Sequence, residues 1–129
     1  MKKIASMLSI IGVLSIPTLS EAAGYYVPGY VYAGTTYLYG SYNVRYNAAF
    51  PGSAYIYANS AAGGSVSFAG ADGAGNTFYC FVPTTSPIYA AAVDIKNGLG
   101  NGSYVYITKG TASSECTYVY SLKGSYFLS

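Results

Sequence analysis

Residues 103–122, SYVYITKGTASSECTYVYSL, decide how this chain is read. Tyr104-Val105-Tyr106-Ile107 and Tyr118-Val119-Tyr120 alternate an aromatic with an aliphatic residue at every step. In an extended strand successive side chains point to opposite faces, so each run puts its tyrosines on one side and its aliphatics on the other. That period of two does not fit a helix. Turn-forming pairs bracket the runs, Asn101-Gly102 before the first and Lys123-Gly124 after the second.

Working outward, the same triplet recurs as Tyr30-Val31-Tyr32, Tyr37-Leu38-Tyr39 and Tyr55-Ile56-Tyr57. Extending the alternation predicts strands at 36–46, 54–59, 64–70, 76–82, 103–109 and 116–122, with room for a last short one at 125–128. Pro51-Gly52, Gly63-Gly64 and the run Asp72-Gly73-Ala74-Gly75-Asn76 separate them as turns. Residues 86–98 break the pattern and predict one helix. Ser86 is placed to cap it, Pro87 stands at the first helical position, and Ile88, Ala91, Ala92 and Ile95 share a face. Lys96 lies in the last turn and Gly98 suits the left-handed residue beyond it.

The fold class is therefore all-β with one short helix. Strands flanking a single late helix suit a small Greek-key (OB-like) barrel. Its topology would be similar to that of the OB-type receptor-binding subunits of bacterial toxins, an analogy of fold in which no residue motif is matched. The alternative is an open antiparallel sheet with one helix packed on it. Residues 36–129 form the single β-rich domain, and residues 23–35 form an N-terminal segment that is either flexible or strand-forming.

Residues 1–22 read as a cleaved signal peptide. Lys2 and Lys3 precede the apolar stretch Ile4 to Ile16, Pro17 breaks it, and Ser20-Glu21-Ala22 supplies the small-x-small cleavage pattern. The apolar stretch is shorter than a bilayer core requires, so no membrane insertion is expected after cleavage. Export to the periplasm, the cell surface or the medium would deliver Cys80 and Cys116 to a compartment where disulfides persist, and the two are expected to pair. The short basic leader is of bacterial type, so Asn101-Gly102-Ser103, which matches the N-glycosylation pattern, reads as a turn.

Composition excludes several functions. Without residues 1–22 the chain sets Arg45, Lys96, Lys109 and Lys123 against Asp72, Asp94 and Glu115, with no basic cluster of the kind nucleic acid demands. The absence of histidine removes Ser-His-Asp and Cys-His nucleophilic sites. Three scattered carboxylates do not make a glycosidase pair, and Asp72 with Asn76 reads as a glycine-rich turn rather than a calcium loop. No enzyme activity, cofactor or metal is expected.

The chain has 17 tyrosines and no tryptophan. If the aliphatic partners fill the core, the rings of Tyr55, Tyr57, Tyr104, Tyr106, Tyr118 and Tyr120 form an outward aromatic face suited to a partner. Alternatively the rings pair across strands and are buried inside. The outward arrangement implies a secreted, disulfide-stabilised binding module for glycans or a host or cell surface. The alternative is an extracellular structural protein in which the same face binds further copies of itself.

Overall fold

The computed structural model describes residues 26–127. The leader read at 1–22 lies outside them. Seven strands and one helix follow in the order β1 Val31–Ala33, β2 Tyr37–Ser41, β3 Tyr55–Ser60, β4 Val66–Ala71, β5 Thr77–Val82, α1 Tyr89–Gly98, β6 Ser103–Lys109 and β7 Cys116–Lys123. They form a four-stranded sheet, β1-β2-β6-β7, and a three-stranded sheet, β3-β4-β5. Every neighbouring pair is antiparallel.

The two sheets pack through their inner faces, as alternation requires. Val31, Leu38, Val105 and Ile107 from the larger sheet meet Ile56, Val66, Phe68, Phe78 and Val82 from the smaller one in a single buried cluster. Leu38 lies over Gly70 with no room for a larger residue: a Cβ added at Gly70 would stand 2.4 Å from Leu38 Cδ1. Ala92 and Ile95 of α1 complete the cluster.

The expected closed barrel does not form. Among the described residues each sheet keeps two edges, and the one ladder contact joining β5 to the chain before β7 is an isolated parallel bridge between Phe81 and Glu115. The open antiparallel arrangement with one helix is what the chain adopts, divided into two sheets. Cys80 on β5 and Cys116 on β7 are disulfide-bonded across this corner. There Phe81 N–H also donates to the Ser114 carbonyl at 3.0 Å, and Lys109 Nζ donates to the Tyr79 carbonyl at 2.7 Å.

Several boundaries differ from the sequence reading, each for a local reason. The strand expected over 36–46 stops at Ser41, and Tyr42–Tyr46 form a 3-10 turn. Asn43 is buried there: its Oδ1 accepts from Ser41 Oγ at 2.6 Å and its Nδ2 donates to the Val27 carbonyl at 3.1 Å. Residues 125–127 form a 3-10 turn rather than a strand. Within the N-terminal segment, β1 pairs with β2, and Asn47 Nδ2 holds the Gly29 carbonyl at 2.7 Å, so this stretch docks on its own domain.

The helix begins at Tyr89, two residues after the expected first helical residue Pro87, and Ser86 Oγ accepts the Ile88 N–H at 3.2 Å in the turn that leads in. Ala91, assigned to the buried face, is exposed. Gly98 is the last helical residue and is not left-handed. Its carbonyl, one of those a helix end leaves unpaired, instead accepts from Lys123 Nζ at 2.8 Å and Ser103 Oγ at 3.3 Å. Side chains from β6 and β7 thus supply the cap that a left-handed glycine was expected to give.

The disulfide joins residues separated by 36 positions and ties the two sheets together. In the chain-entropy account, releasing a loop of that length costs about 3.5 to 4 kcal/mol. The double substitution Cys80→Ala with Cys116→Ala is expected to lower unfolding stability by roughly 3 to 4 kcal/mol, as read from denaturant midpoints, with the β-rich circular dichroism retained before the transition.

Candidate recognition surface

The outer face of the four-stranded sheet is built from tyrosine. The registers Tyr32↔Tyr39, Tyr39↔Tyr106 and Tyr106↔Tyr120 place one tyrosine from each strand in a single transverse row. Ring centroids along it lie 5.3 Å apart for Tyr32 and Tyr39 and 5.8 Å for Tyr39 and Tyr106, the latter pair inclined by only 22°. A second row runs Tyr37↔Thr108↔Tyr118. On the other side, Tyr30 N–H reaches Ser41 Oγ at 3.4 Å, and Tyr104 is Ser41's partner on β6. Tyr30 and Tyr104 are therefore neighbours, with centroids 6.3 Å apart.

Burial settles which way the alternation runs. Val105 and Ile107 are 1% and 0% exposed, whereas Tyr106, Tyr118 and Tyr120 between and opposite them are 38%, 50% and 43% exposed. The aliphatics point in and the rings point out. Phe50 meets Tyr32 edge-on at 6.0 Å, and Phe127 stacks on Tyr104 at 5.5 Å, so phenylalanines flank the aromatic field.

The six tyrosines singled out in the sequence do not form one site. Tyr104, Tyr106, Tyr118 and Tyr120 stand together and line a shallow depression of about 260 Å³ between β6 and β7. Tyr55 and Tyr57 lie on the outer face of the smaller sheet, stacked on each other at 5.8 Å. Tyr79 belongs to that second face, because the register Tyr57↔Ala69↔Tyr79 sets two exposed rings on either side of a small residue. The sequence reading left Tyr30, Tyr32, Tyr37 and Tyr39 out of the site, although they lie in the same Tyr-aliphatic-Tyr triplets. Only the order β1-β2-β6-β7 shows that those triplets share a sheet with Tyr104 and Tyr106.

The carboxylates are placed elsewhere. Asp72 Oδ1 accepts the Ala74 N–H at 2.8 Å and its Oδ2 accepts Asn76 Nδ2 at 2.7 Å, which closes the hairpin turn over Gly73 and Gly75, both at positive φ. These hydrogen bonds, the one from the Asn76 side chain foremost, hold its pKa below the ordinary carboxylate value. Among the described residues no group of three His, Cys, Asp or Glu side chains is placed to hold a metal ion.

Tyr104 is the chemically distinct member of the field. Burial, the neighbouring Tyr30 and the hydrogen bond between their hydroxyls push its phenol up to about 12. That bond lowers the Tyr30 phenol and raises Tyr104, while burial raises Tyr30 overall. Burial also raises Tyr42.

Two predictions follow from this geometry. Tyr106→Ser and Tyr120→Ser remove exposed rings and cost no more than about 1 kcal/mol each, whereas Ile107→Ala opens the core and costs about 2 to 5 kcal/mol. Denaturant titration of the three variants checks the contrast. Because folding favours the protonated phenol of Tyr104, its stabilising contribution is complete below the unfolded value of 10.0 and is lost as pH rises through about 12. Stability is expected to fall across that window, and Tyr104→Phe to flatten the fall. Phenolate ultraviolet absorbance followed alongside unfolding tests both. Compared with known proteins, the chain matches no family model, no curated protein and no solved structure.

Proposed function

We propose that this chain is an exported, non-catalytic carbohydrate-binding module, and that a glycan chain lies across the outer face of its four-stranded sheet. The observation that carries this reading is the transverse row Tyr32, Tyr39, Tyr106 and Tyr120, together with the depression lined by Tyr104, Tyr106, Tyr118 and Tyr120. Strands are spaced about 4.8 Å apart, so the row offers an aromatic contact at each step close to the length of one pyranose unit. Tyrosine presents a broad apolar ring for the C–H faces of a sugar and a hydroxyl for its hydroxyl groups, at low entropic cost because it has few rotatable bonds. The remaining groups on this face, Ser41, Thr108 and Leu122, carry no charge, which suits a neutral ligand.

Export is supported by the leader-like sequence at 1–22 and by the disulfide, which belongs to an oxidising compartment. The absence of catalytic activity is supported by the lack of histidine and by the engagement of Asp72 in its own turn.

A glycan array probed with the mature chain, run beside sedimentation velocity at two protein concentrations, tests the reading. Binding by a monomer to a restricted set of neutral glycans is expected, with at least a tenfold loss, about 1.4 kcal/mol, in Tyr106→Ser and in Tyr118→Ser. Silence on the array combined with growth in sedimentation coefficient as concentration rises would overturn it in favour of self-assembly through the same face.

A further inference from the structure

A second concavity, about 540 Å³, opens where the 3-10 turn Tyr42–Tyr46, the start of β3 and the loop between α1 and β6 converge. Its makeup differs from that of the outer face. Val44 and Ile56, both buried, line it beside the rings of Tyr42, Tyr46 and Tyr55, and Gly100 and Asn101 add the loop from the far side. Arg45, the one arginine of the chain, also lines it.

The guanidinium of Arg45 is held in place by its neighbour. It lies 4.9 Å from the centre of the Tyr46 ring, and its Nη2 donates to the Tyr46 hydroxyl at 2.7 Å. That contact occupies one of the five N–H donors and leaves the rest of the fork for an acceptor. Among the described residues no carboxylate lines the cleft. Asp72 is closed on Ala74 and Asn76 in its own turn. The remaining acids, Asp94 on α1 and Glu115 beside the disulfide, belong to other parts of the surface.

A cleft with apolar walls, phenol hydroxyls, a polar loop and one oriented guanidinium without a carboxylate beside it selects a compact anion with a ring body. We propose that it is a binding site for a carboxylate-bearing sugar, with the carboxylate on Arg45 and the sugar ring between the tyrosines and the Gly100–Asn101 loop. A planar carboxylate matches the arginine fork in a way that a point charge does not. The hydroxyls of such a ligand suit the phenol hydroxyls that line the cleft, which a plain hydrocarbon acid would not engage. This site is separate from the outer tyrosine row: it shares no residue with it, and either can fail without the other.

The test uses the isotopically labelled mature chain and follows the backbone amide of Gly100 and the side-chain amide of Asn101 by NMR. D-glucuronate is the probe, D-glucose its neutral counterpart and benzoate an acid lacking hydroxyls. Saturable shifts at both signals with D-glucuronate, weaker ones with benzoate and none with D-glucose at the same concentration are expected. Arg45→Gln should weaken the D-glucuronate response at least about tenfold, and Arg45→Lys should recover only part of it. Arg45 is exposed, so both variants are expected to fold, and their unperturbed core signals report this. Equal responses to D-glucose and D-glucuronate, benzoate binding as tightly as the sugar acid, or an Arg45→Gln variant that binds as before would each overturn the proposal. Tyr106→Ser should leave the response unchanged.

Discussion

The burial of Val31, Leu38, Val105 and Ile107 against the smaller sheet is the constraint on which the rest of this structure depends. Period-two alternation leaves no independent choice for their neighbours: once these aliphatics are inside, Tyr30, Tyr32, Tyr37, Tyr39, Tyr104 and Tyr106 are outside. The tyrosine field is thus a geometric consequence of core formation. A slip of one residue in any register would reverse both faces at once, burying phenol rings and exposing valines. The contact of Leu38 over Gly70 opposes such a slip, because a residue with a Cβ brought to that position would meet the Leu38 side chain.

Much of this was legible in the sequence because alternation is a local signal. The strands at 54–59, 64–70, 76–82, 103–109 and 116–122 need no knowledge of partners, and five of them reappear within a residue or two of their expected ends. The disulfide was legible from the cysteine count and the expectation of export that the leader-like residues 1–22 raise. What resisted reading was anything that depends on which strands become neighbours. Nothing in the local sequence says that β2 pairs with β6 across more than sixty residues, and that pairing is what joins Tyr39 to Tyr106. It also separates Tyr55 and Tyr57 from the other four tyrosines, a division invisible to a reading by motif. The end of β2 was hidden for a similar reason: Asn43 turns inward because Val27 offers a carbonyl to it, and Val27 is distant in sequence.

The helix illustrates how long-range partners replace a local device. Gly98 has the composition of a left-handed cap, yet Lys123 and Ser103 reach its carbonyl first, and the glycine keeps a helical conformation. The outcome couples the helix end to both β6 and β7. That tie lies at the Ser103–Lys123 end of the β6–β7 ladder, while the Cys80–Cys116 bond and the Lys109 contact to the Tyr79 carbonyl join the two sheets at its Lys109–Cys116 end. A small domain with few charges relies on such covalent and hydrogen-bonded ties, because its core alone contributes little surplus stability.

This arrangement separates the residues that hold the fold from those of the outer aromatic face. Inner-face aliphatics carry stability, and outer-face tyrosines contribute only pairwise ring contacts, so the recognition surface can change while the fold persists. The Tyr30–Tyr104 pair is the exception: it lies deepest in the outer field, next to buried Ser41 and under Phe127, with its hydroxyls bonded to each other. Their hydroxyls are already engaged with each other, so under the proposed function Tyr104 offers a ligand the side of its ring that lines the depression rather than its hydroxyl. Tyr32 and Tyr37 on β1 and β2, and Tyr106, Tyr118 and Tyr120 on β6 and β7, are more exposed. Exposure therefore orders the tyrosines of this sheet: under the proposed function the exposed rings meet the glycan, and Tyr30 with Tyr104 anchors the field from which they project.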